Sequence, residues 1–230
     1  MTLYETIFVR RSVRKYDEAP VDGQTLQNIR QVLDEAEQMA GQSARFELAA
    51  ADAVSQRLAP HYILAYCEQS DAAFANVGYV LQKVDLYIQS IGLGSVWLGM
   101  AKTKERAENF CIMLAFGRSD VPLRCGEAEF TRLPLAEVSG ADNAVARAAR
   151  LAPSAMNSQP WQLHFADGKV AMRYVGRGLM KRILRRKLSK IDLGIIARHV
   201  ALALQSEGKT IQSVALRTSG EDFAVEVAYS

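Results

Sequence analysis

Three arginines and one serine lie within five residues near the N-terminus, in the segment Arg10-Arg11-Ser12-Val13-Arg14. If this segment is extended, Arg10, Ser12 and Arg14 point to the same side, because side chains alternate along an extended chain. A guanidinium group donates two parallel hydrogen bonds and stays charged, which suits a phosphate dianion. The segment is therefore a candidate phosphate site. On charge alone, a solvated basic patch or a cluster of surface ion pairs is the more common use of such a run, and this alternative stays open.

A second polar segment, residues 152–161, reads APSAMNSQPW and lies between a predicted helix and a predicted strand. Its two prolines make it stiff, and its serines, Asn157 and Gln159 carry neutral hydrogen-bonding groups. Such groups can face the edge of a heteroaromatic ring that has both donors and acceptors. The alternative is a proline-rich connection with Trp161 buried behind it.

A third segment, residues 92–99, reads GLGSVWLG and runs from the end of a predicted helix into a predicted strand. Its three glycines allow backbone N–H groups to approach a flat ligand closely. The spacing and the helix-then-strand order differ from the dinucleotide-binding fingerprint. A helix C-cap followed by a close-packed strand explains the glycines equally well.

The composition excludes several classes of protein. The 230 residues include 28 Lys and Arg against 25 Asp and Glu, and a net charge of +3 is too small to predict nucleic-acid binding. No stretch approaches the roughly 18 uninterrupted apolar residues of a membrane span, and the first residues lack a secretory signal pattern. Cys67, Cys111 and Cys125 are odd in number and widely spaced, so we interpret them as reduced core residues. We therefore expect a cytoplasmic, soluble protein with no nucleic-acid or membrane partner.

The histidines and a late basic run do not predict further chemistry. His61, His164 and His199 lack metal-ligand spacing, so we assign no metal, and His199 lies in a helix that we expect to be buried. The basic run consists of Lys181, Arg182, Arg185, Arg186, Lys187 and Lys190 on a predicted helix. We interpret it as a solvated face, with binding of a phosphorylated dinucleotide or another anion as the alternative.

Apolar periodicity and capping signals predict the elements that position these segments. Helices are predicted at 3–10, from about 22, at 74–91, near 103–109, at 141–151 and at 191–207. Strands are predicted at 46–51, 62–66, 95–98, 111–116, 161–165, 169–174, 211–217 and 222–229, with hairpin turns at Asp167-Gly168 and Ser219-Gly220. Because helices and strands are mixed without strict βαβ alternation, the predicted fold class is α+β.

The pattern of the first half recurs in the second. An offset of 116 residues places 78–92 on 194–208, and six of the 15 pairs are identical. Two buried helices of similar composition could share some of these residues, but the matching polar positions favour an internal duplication. We predict two similar half-domains, 1–132 and 133–230, packed as an intramolecular pseudo-dimer.

The three segments together resemble the FMN-dependent nitroreductase superfamily. ETIFVRRSVRKY is similar to its RRSxR phosphate motif, APSAMNSQPW to its P-S-x-x-N-x-Q-P-W loop, and NVGYVLQKVDLYIQSIGLGSVWLG to its central helix and the loop after it. The resemblance involves most of residues 4–165. The helix at 191–208 resembles a branch in which two halves are fused, the TM nitroreductase-like proteins.

The resemblance implies an FMN site and its residues. The phosphate and ribityl chain would be held by Arg10, Arg11, Ser12 and Arg14, with Arg132 as a later basic residue that reaches the phosphate. The isoalloxazine ring would contact Pro153, Ser154, Ala155 and Asn157. The loop near flavin N5 would be Val96, Trp97, Leu98 and Gly99, although the family often has P-x-E-G there.

One departure from the family pattern concerns the loop that contacts the flavin ring. In this chain we call residues 153–159 the ring-contact loop and residues 10–14 the arginine motif. In ordinary members this loop follows soon after the arginine motif and reaches the flavin of the partner subunit. Residues 33–46 contain no such loop here, and the second half contains no RRSxR. A fused pseudo-dimer with one complete site explains both losses, so we expect a monomer or a weak homodimer.

The resemblance also implies an activity. It predicts an FMN-dependent oxidoreductase that takes hydride from NADH or NADPH and passes electrons to a small organic acceptor, with no dedicated catalytic side chain. A non-catalytic flavin- or nucleotide-binding module is the alternative.

Overall fold

The computed structural model describes residues 1–105, 107–176, 187–220 and 222–230. The helices are α1 (Leu3–Ile7), α2 (Gly23–Asp34), α3 (Asp71–Ser90), α4 (Leu135–Val138), α5 (Ala144–Arg150) and α6 (Leu188–Ser206). The strands are β1 (Arg45–Ala50), β2 (His61–Tyr66), β3 (Gly94–Leu98), β4 (Phe110–Gly117), β5 (Trp161–Ala166), β6 (Lys169–Tyr174), β7 (Ile211–Ser219) and β8 (Asp222–Tyr229). None of the helices in these ranges combines the length and the apolar composition of a membrane-spanning segment.

The first helix begins at the predicted capping box but ends early. The hydroxyl of Thr2 accepts from the N–H of Glu5 at 3.1 Å, and the Glu5 carboxylate accepts from the N–H of Thr2 at 2.8 Å. α1 ends at Ile7 and not near residue 10. The N–H of Arg11 instead donates to the side-chain oxygen of Gln89 on α3 at 2.7 Å. This bond holds the arginine segment against α3 outside a helix.

The helix predicted near 103–109 is wrong for the residues that the structure describes there. Thr103 forms an antiparallel bridge with Val54, and Lys104 donates its N–H to the carbonyl of Ala53 at 2.8 Å. The carbonyl of Thr103, which would accept the first bond of that helix, accepts from the hydroxyl of Ser55 at 3.1 Å, and none of the described residues of 103–109 is helical.

The strands form two four-stranded sheets with the same topology. The order is β1-β2-β4-β3 in the first sheet and β5-β6-β8-β7 in the second, and all neighbours are antiparallel. The predicted hairpin turns contain Gly168 at φ +64° and Gly220 at φ +58°, which are left-handed values that glycine adopts without strain. The predicted α+β class is confirmed.

The two halves pack through α3 and α6, which cross at two glycines related by the offset of 116 residues. A Cβ atom on Gly78 would lie 2.0 Å from the carbonyl oxygen of Ile191, and one on Gly194 would lie 1.8 Å from that of Ala75. Ala75 and Ile191 are related by the same offset, so each contact repeats the other with the helices exchanged, as at a two-fold interface. The predicted pseudo-dimer is confirmed; the boundary at 132/133 and the duplication itself stay predictions.

Two predictions about exposure need correction. Cys67 and Cys111 are buried, but Cys125 is exposed. Lys190 does not lie on a solvated face: its side chain is 8% exposed and its ammonium pairs with Asp71 at 3.2 Å. Of the rest of the predicted basic run, Lys187 precedes α6, and residues 181, 182, 185 and 186 lie outside the described ranges.

Candidate functional site

Arg10 is buried and pairs with the buried carboxylate of Asp85 on α3. The two side chains are 1% and 0% exposed, and Nε of Arg10 donates to Oδ2 of Asp85 at 3.0 Å. Oδ1 of Asp85 accepts from the hydroxyl of Ser95 at 2.6 Å and from Nε2 of Gln89 at 3.2 Å. These bonds fix the carboxylate, and through it the guanidinium, at the base of the arginine motif.

The rest of the motif runs beside β3. Ser12 forms a parallel bridge with Ser95, whose carbonyl accepts from the N–H of Val13 at 2.9 Å. A Cβ atom on Gly94 would lie 2.8 Å from the side chain of Val13, so the close approach depends on glycine. Arg14 is exposed. The motif is thus fixed at its buried start and open to solvent at its end.

Arg124, which the sequence did not predict, also lies against the motif. It donates from Nη1 to the carbonyl of Arg10, 114 residues away, and its guanidinium lies 4.2 Å from the ring centre of Phe130. Burial, and after it the charges of Arg10 and Arg11, lower the pKa of Arg124. No local motif surrounds Arg124, so only the fold shows its place.

Arg132 connects this region to the ring-contact loop. Its Nη1 donates to Oδ1 of Asn157 at 2.8 Å, and its Nη2 donates to the carbonyl of Leu151 at 3.1 Å. Nδ2 of Asn157 in turn donates to the carbonyl of Thr131 at 2.9 Å. Arg132, which the sequence predicts to contact the phosphate, is therefore hydrogen-bonded to Asn157, which it predicts to contact the ring.

Positive charge is concentrated around Arg132. Burial, and after it the charges of Arg10, Arg124 and Arg150, lower the pKa of Arg132 to about 9. Within this cluster, Arg10 pairs with Asp85 at 3.0 Å and Arg11 pairs with Glu129 at 2.8 Å. Guanidinium groups gathered in this way repel one another, and a multiply charged anion would relieve that repulsion.

The ring-contact loop, 153–159, adopts an unusual backbone conformation. Met156, Asn157 and Gln159 have φ values of +52°, +54° and +46°. Each non-glycine residue in this left-handed region costs about 1–3 kcal/mol and persists only where its surroundings hold it. Such strain is typical of ligand-binding segments.

Hydrogen bonds on both sides hold this loop. The N–H of Ala155 donates to Oδ1 of Asp192 on α6 at 3.0 Å, and the N–H of Gln159 donates to the hydroxyl of Ser154 at 2.9 Å. Oε1 of Gln159 accepts from the N–H of Leu133 at 2.8 Å. Asp192 and Leu133 had no predicted role, because nothing near them in the sequence marks them as partners of the loop.

The end of β3 reaches the start of α6. Val96 is buried, and Trp97 and Leu98 are half-buried. A Cβ atom on the exposed Gly99 would lie 3.2 Å from the side chain of Leu188, the first residue of α6. The third predicted segment therefore borders the helix that holds the ring-contact loop.

A buried polar chain supports Trp97 from behind. Its Nε1 donates to Oε1 of Gln82 at 3.2 Å, and Nε2 of Gln82 lies 3.2 Å from Nε2 of His199. Nδ1 of His199 lies 3.0 Å from the carbonyl oxygen of Ala148 and must donate to it, so Nε2 accepts. Burial lowers the pKa of His199 to about 3, which keeps it neutral. His199 is the buried residue that the sequence predicts.

Buried polar atoms without a hydrogen-bond partner gather around these segments. In the described part of the chain, the unpartnered atoms are Arg11 Nε, Arg132 Nε, Ser158 Oγ, Trp161 Nε1, Ser189 Oγ and Asp192 Oδ2. All of them lie on the arginine motif, at Arg132, on the ring-contact loop and its following strand, or in the first turns of α6. Buried polar groups nearly always have a protein, water or ligand partner, so this clustering favours a ligand site.

Fold and site together define a class of protein, an α+β pseudo-dimer. Its arginine motif, its ring-contact loop and strand β3 meet between the two halves. Residues 2–204 match the model of the family described as "Putative TM nitroreductase". The chain belongs to this family, as the sequence predicted.

The fold also occurs in a solved structure that matches nearly the whole chain, and two further structures match part of it. A protein of Thermotoga maritima described as a putative nitroreductase is 19% identical, with a TM-score of 0.72, over 99% of this chain and 94% of its own. A nitroreductase family protein of Clostridium difficile is 21% identical with a TM-score of 0.50, over 60% and 96%. A Desulfovibrio desulfuricans protein solved in complex with FMN is 19% identical with a TM-score of 0.48, over 62% and 98%. No curated protein matches the chain.

Proposed function

We propose that this protein binds FMN in one site built by both halves of a single chain, and that it transfers electrons from NADH or NADPH to a small organic acceptor. The observation that carries this function is the 2.8 Å bond from Arg132 to Asn157. It connects the cationic region around the arginine motif to the ring-contact loop within one chain, as a flavin nucleotide with a phosphate at one end and a ring at the other requires.

The cationic region fits the phosphate. Arg10 is oriented by Asp85, and Nε of Arg11 and of Arg132 has no protein partner. We assign Arg10, Arg11, Ser12, Arg14 and Arg132 to the phosphate and the ribityl chain. Arg124 would strengthen the same positive field, since it lies against the backbone of Arg10.

The ring-contact loop fits the isoalloxazine. We assign Pro153, Ser154, Ala155 and Asn157 to the ring, and the backbone of Val96, Trp97, Leu98 and Gly99 to its reactive edge. The left-handed residues of the loop are held before any ligand arrives, which lowers the ordering cost of binding.

FMN, when bound, supplies the hydride and electron transfer, so the chain need not provide an acid or a base. The chain's part is to hold the phosphate with its guanidinium groups, orient the ring and present backbone N–H groups at its edge. The Gln82–His199 contact serves this purpose by fixing the indole of Trp97.

The first experiment is spectroscopic. The purified protein should show flavin absorbance or should acquire it on addition of FMN, and NADH or NADPH should bleach the bound flavin under anaerobic conditions. Bound flavin that neither nicotinamide reduces would instead indicate the non-catalytic binding module. Protein that ignores added FMN would contradict the whole assignment.

The second experiment tests whether one chain is sufficient. Arg14→Ala and Asn157→Ala each damage one side of the proposed site. If the site is intramolecular, a co-refolded mixture of the two variants should bind no more FMN than the separate variants do, and the flavin-loaded wild type should remain a monomer on dilution. Recovery of wild-type binding in the mixture would show an intersubunit site.

A further inference from the structure

The ring-contact loop has a counterpart in the first half. The offset of 116 residues places 36–45 on 152–161. In both segments a backbone N–H donates a hydrogen bond to a side-chain oxygen on the central helix of its half. The N–H of Met39 donates to Oδ1 of Asn76 at 2.8 Å, as the N–H of Ala155 does to Oδ1 of Asp192 at 3.0 Å. The two donors and the two acceptors are each related by the offset.

The counterpart shares one of the three left-handed positions of the ring-contact loop. Gly41 has a φ of +70°, and Asn157, at the equivalent position, has a φ of +54°. Residues 36–45 have therefore kept this one left-handed position and the bond to α3, but they lack the prolines and the asparagine of the loop. This makes it an internal reference for what the loop needs merely to fold.

The two halves differ at the second atom of the acceptor side chain. Nδ2 of Asn76 donates to Oε1 of Gln38 at 2.5 Å, so both polar atoms of that side chain have a partner. Oδ2 of Asp192 has no partner, although the residue is only 3% exposed. The equivalent of Gln38 is Ser154, whose hydroxyl accepts from the N–H of Gln159.

We infer that Asp192 is a positioning residue of the flavin site, with one carboxyl oxygen that holds the ring-contact loop and a second that hydrogen-bonds the bound cofactor, directly or through one water. This role rests on the proposed function. In the half that carries the loop, Oδ2 of Asp192 has no hydrogen-bond partner. In the half that lacks the loop, the equivalent atom, Nδ2 of Asn76, is paired with Gln38.

The chemistry of the carboxyl agrees with this role. Burial raises the pKa of Asp192 to about 8, so the group is mostly protonated near pH 7. Because Oδ1 accepts from Ala155, the proton resides on Oδ2 and makes it a donor. A buried donor without a partner destabilises the flavin-free protein, and proteins keep such groups mainly where a function requires them.

The test combines infrared spectroscopy with FMN titration. In flavin-free wild type, a carbonyl band from a protonated carboxyl should be present near neutral pH and absent in Asp192→Asn. Addition of FMN should shift this band to lower frequency, because Oδ2 gains a hydrogen-bond partner. A role confined to holding the loop would leave the band in place.

Affinity provides the matched control. Asp192→Ala should weaken FMN binding at least about tenfold, whereas Asn76→Ala, which removes the equivalent side chain of the other half, should change it less than about twofold. If wild type binds FMN but the band does not move, or if the two alanine variants lose affinity equally, the role of Asp192 is wrong. If wild type does not bind FMN, the proposed function and this role both fail. Asp192→Ala serves to assign the band should Asp192→Asn not fold.

Discussion

The guanidinium of Arg10 and the carboxylate of Asp85 form an ion pair inside the protein, 3.0 Å apart and 75 residues apart in the sequence. Asp85 also accepts from Ser95, Gln82 and Gln89. One carboxylate thereby ties the arginine motif, α3 and β3 together. In the proposed phosphate site, this pair fixes the orientation of the Arg10 guanidinium.

Asp85→Asn should destabilise the protein strongly. The substitution leaves Arg10 buried without its anion and replaces one accepting oxygen with an NH2 group that faces other donors. Breaking a buried pair from one side typically costs about 3–5 kcal/mol, which urea unfolding at pH 7 can measure. Asp142→Asn, which affects only an exposed pair with Arg147, is the control and should change the free energy of unfolding little.

Gly78→Ala and Gly194→Ala should each disrupt the packing of the two halves. A new Cβ atom would overlap a backbone carbonyl of the opposite helix, so α3 and α6 would have to separate. We expect the free energy of unfolding to fall by at least about 3 kcal/mol, which is the upper end of the cost of overpacking a core. Gly23→Ala, where a Cβ would meet nothing within 4 Å, should retain wild-type stability. Thermal unfolding that ranks the three variants equally would contradict the close crossing.

His199 should make the protein sensitive to mild acid. Burial holds its pKa at about 3 in the folded protein, against about 6.5 in the unfolded chain, so the unfolded state binds the extra proton between these values. Stability from this residue is therefore complete above pH 6.5 and is lost as the pH falls. Between pH 7 and 5 the loss should be about 2 kcal/mol. His199→Gln has a side chain that does not titrate, and its unfolding free energy should fall less over the same range; equal slopes would count against the neutral buried imidazole.

Arg132→Ala should weaken FMN binding without a comparable loss of stability. Removal of one charged partner of a bound anion costs about 2–5 kcal/mol, so we expect at least about a tenfold rise in the dissociation constant. The flavin-free protein should tolerate the change, because the charges of Arg10, Arg124 and Arg150 repel Arg132. Arg147→Ala is the control, since Arg147 pairs with Asp142 on the surface. Fluorescence titration at two salt concentrations would measure both variants, and an unchanged affinity of Arg132→Ala would remove it from the site.

Local signals determined the elements, the class and the family. The Thr2 and Glu5 capping box, the glycine hairpins and the repeated pattern of α3 and α6 depend on residues close in sequence, and all of them appear in the structure. The arginine motif and the proline-serine loop were also evident, because each is a short run of distinctive residue types. The prediction of a helix near 103–109 was wrong, because Thr103 pairs with Val54, a residue distant in sequence.

Tertiary structure alone decided which polar groups are buried together. Arg10 meets Asp85 across 75 residues, Arg124 meets Arg10 across 114, and His199 meets Gln82 across 117. Nothing local marks these pairs, because the free energy of a buried polar group depends on the partner that the fold brings to it. For the same reason, the contact of Arg124 with Arg10 and the contact of Asp192 with Ala155 could not be predicted from the sequence.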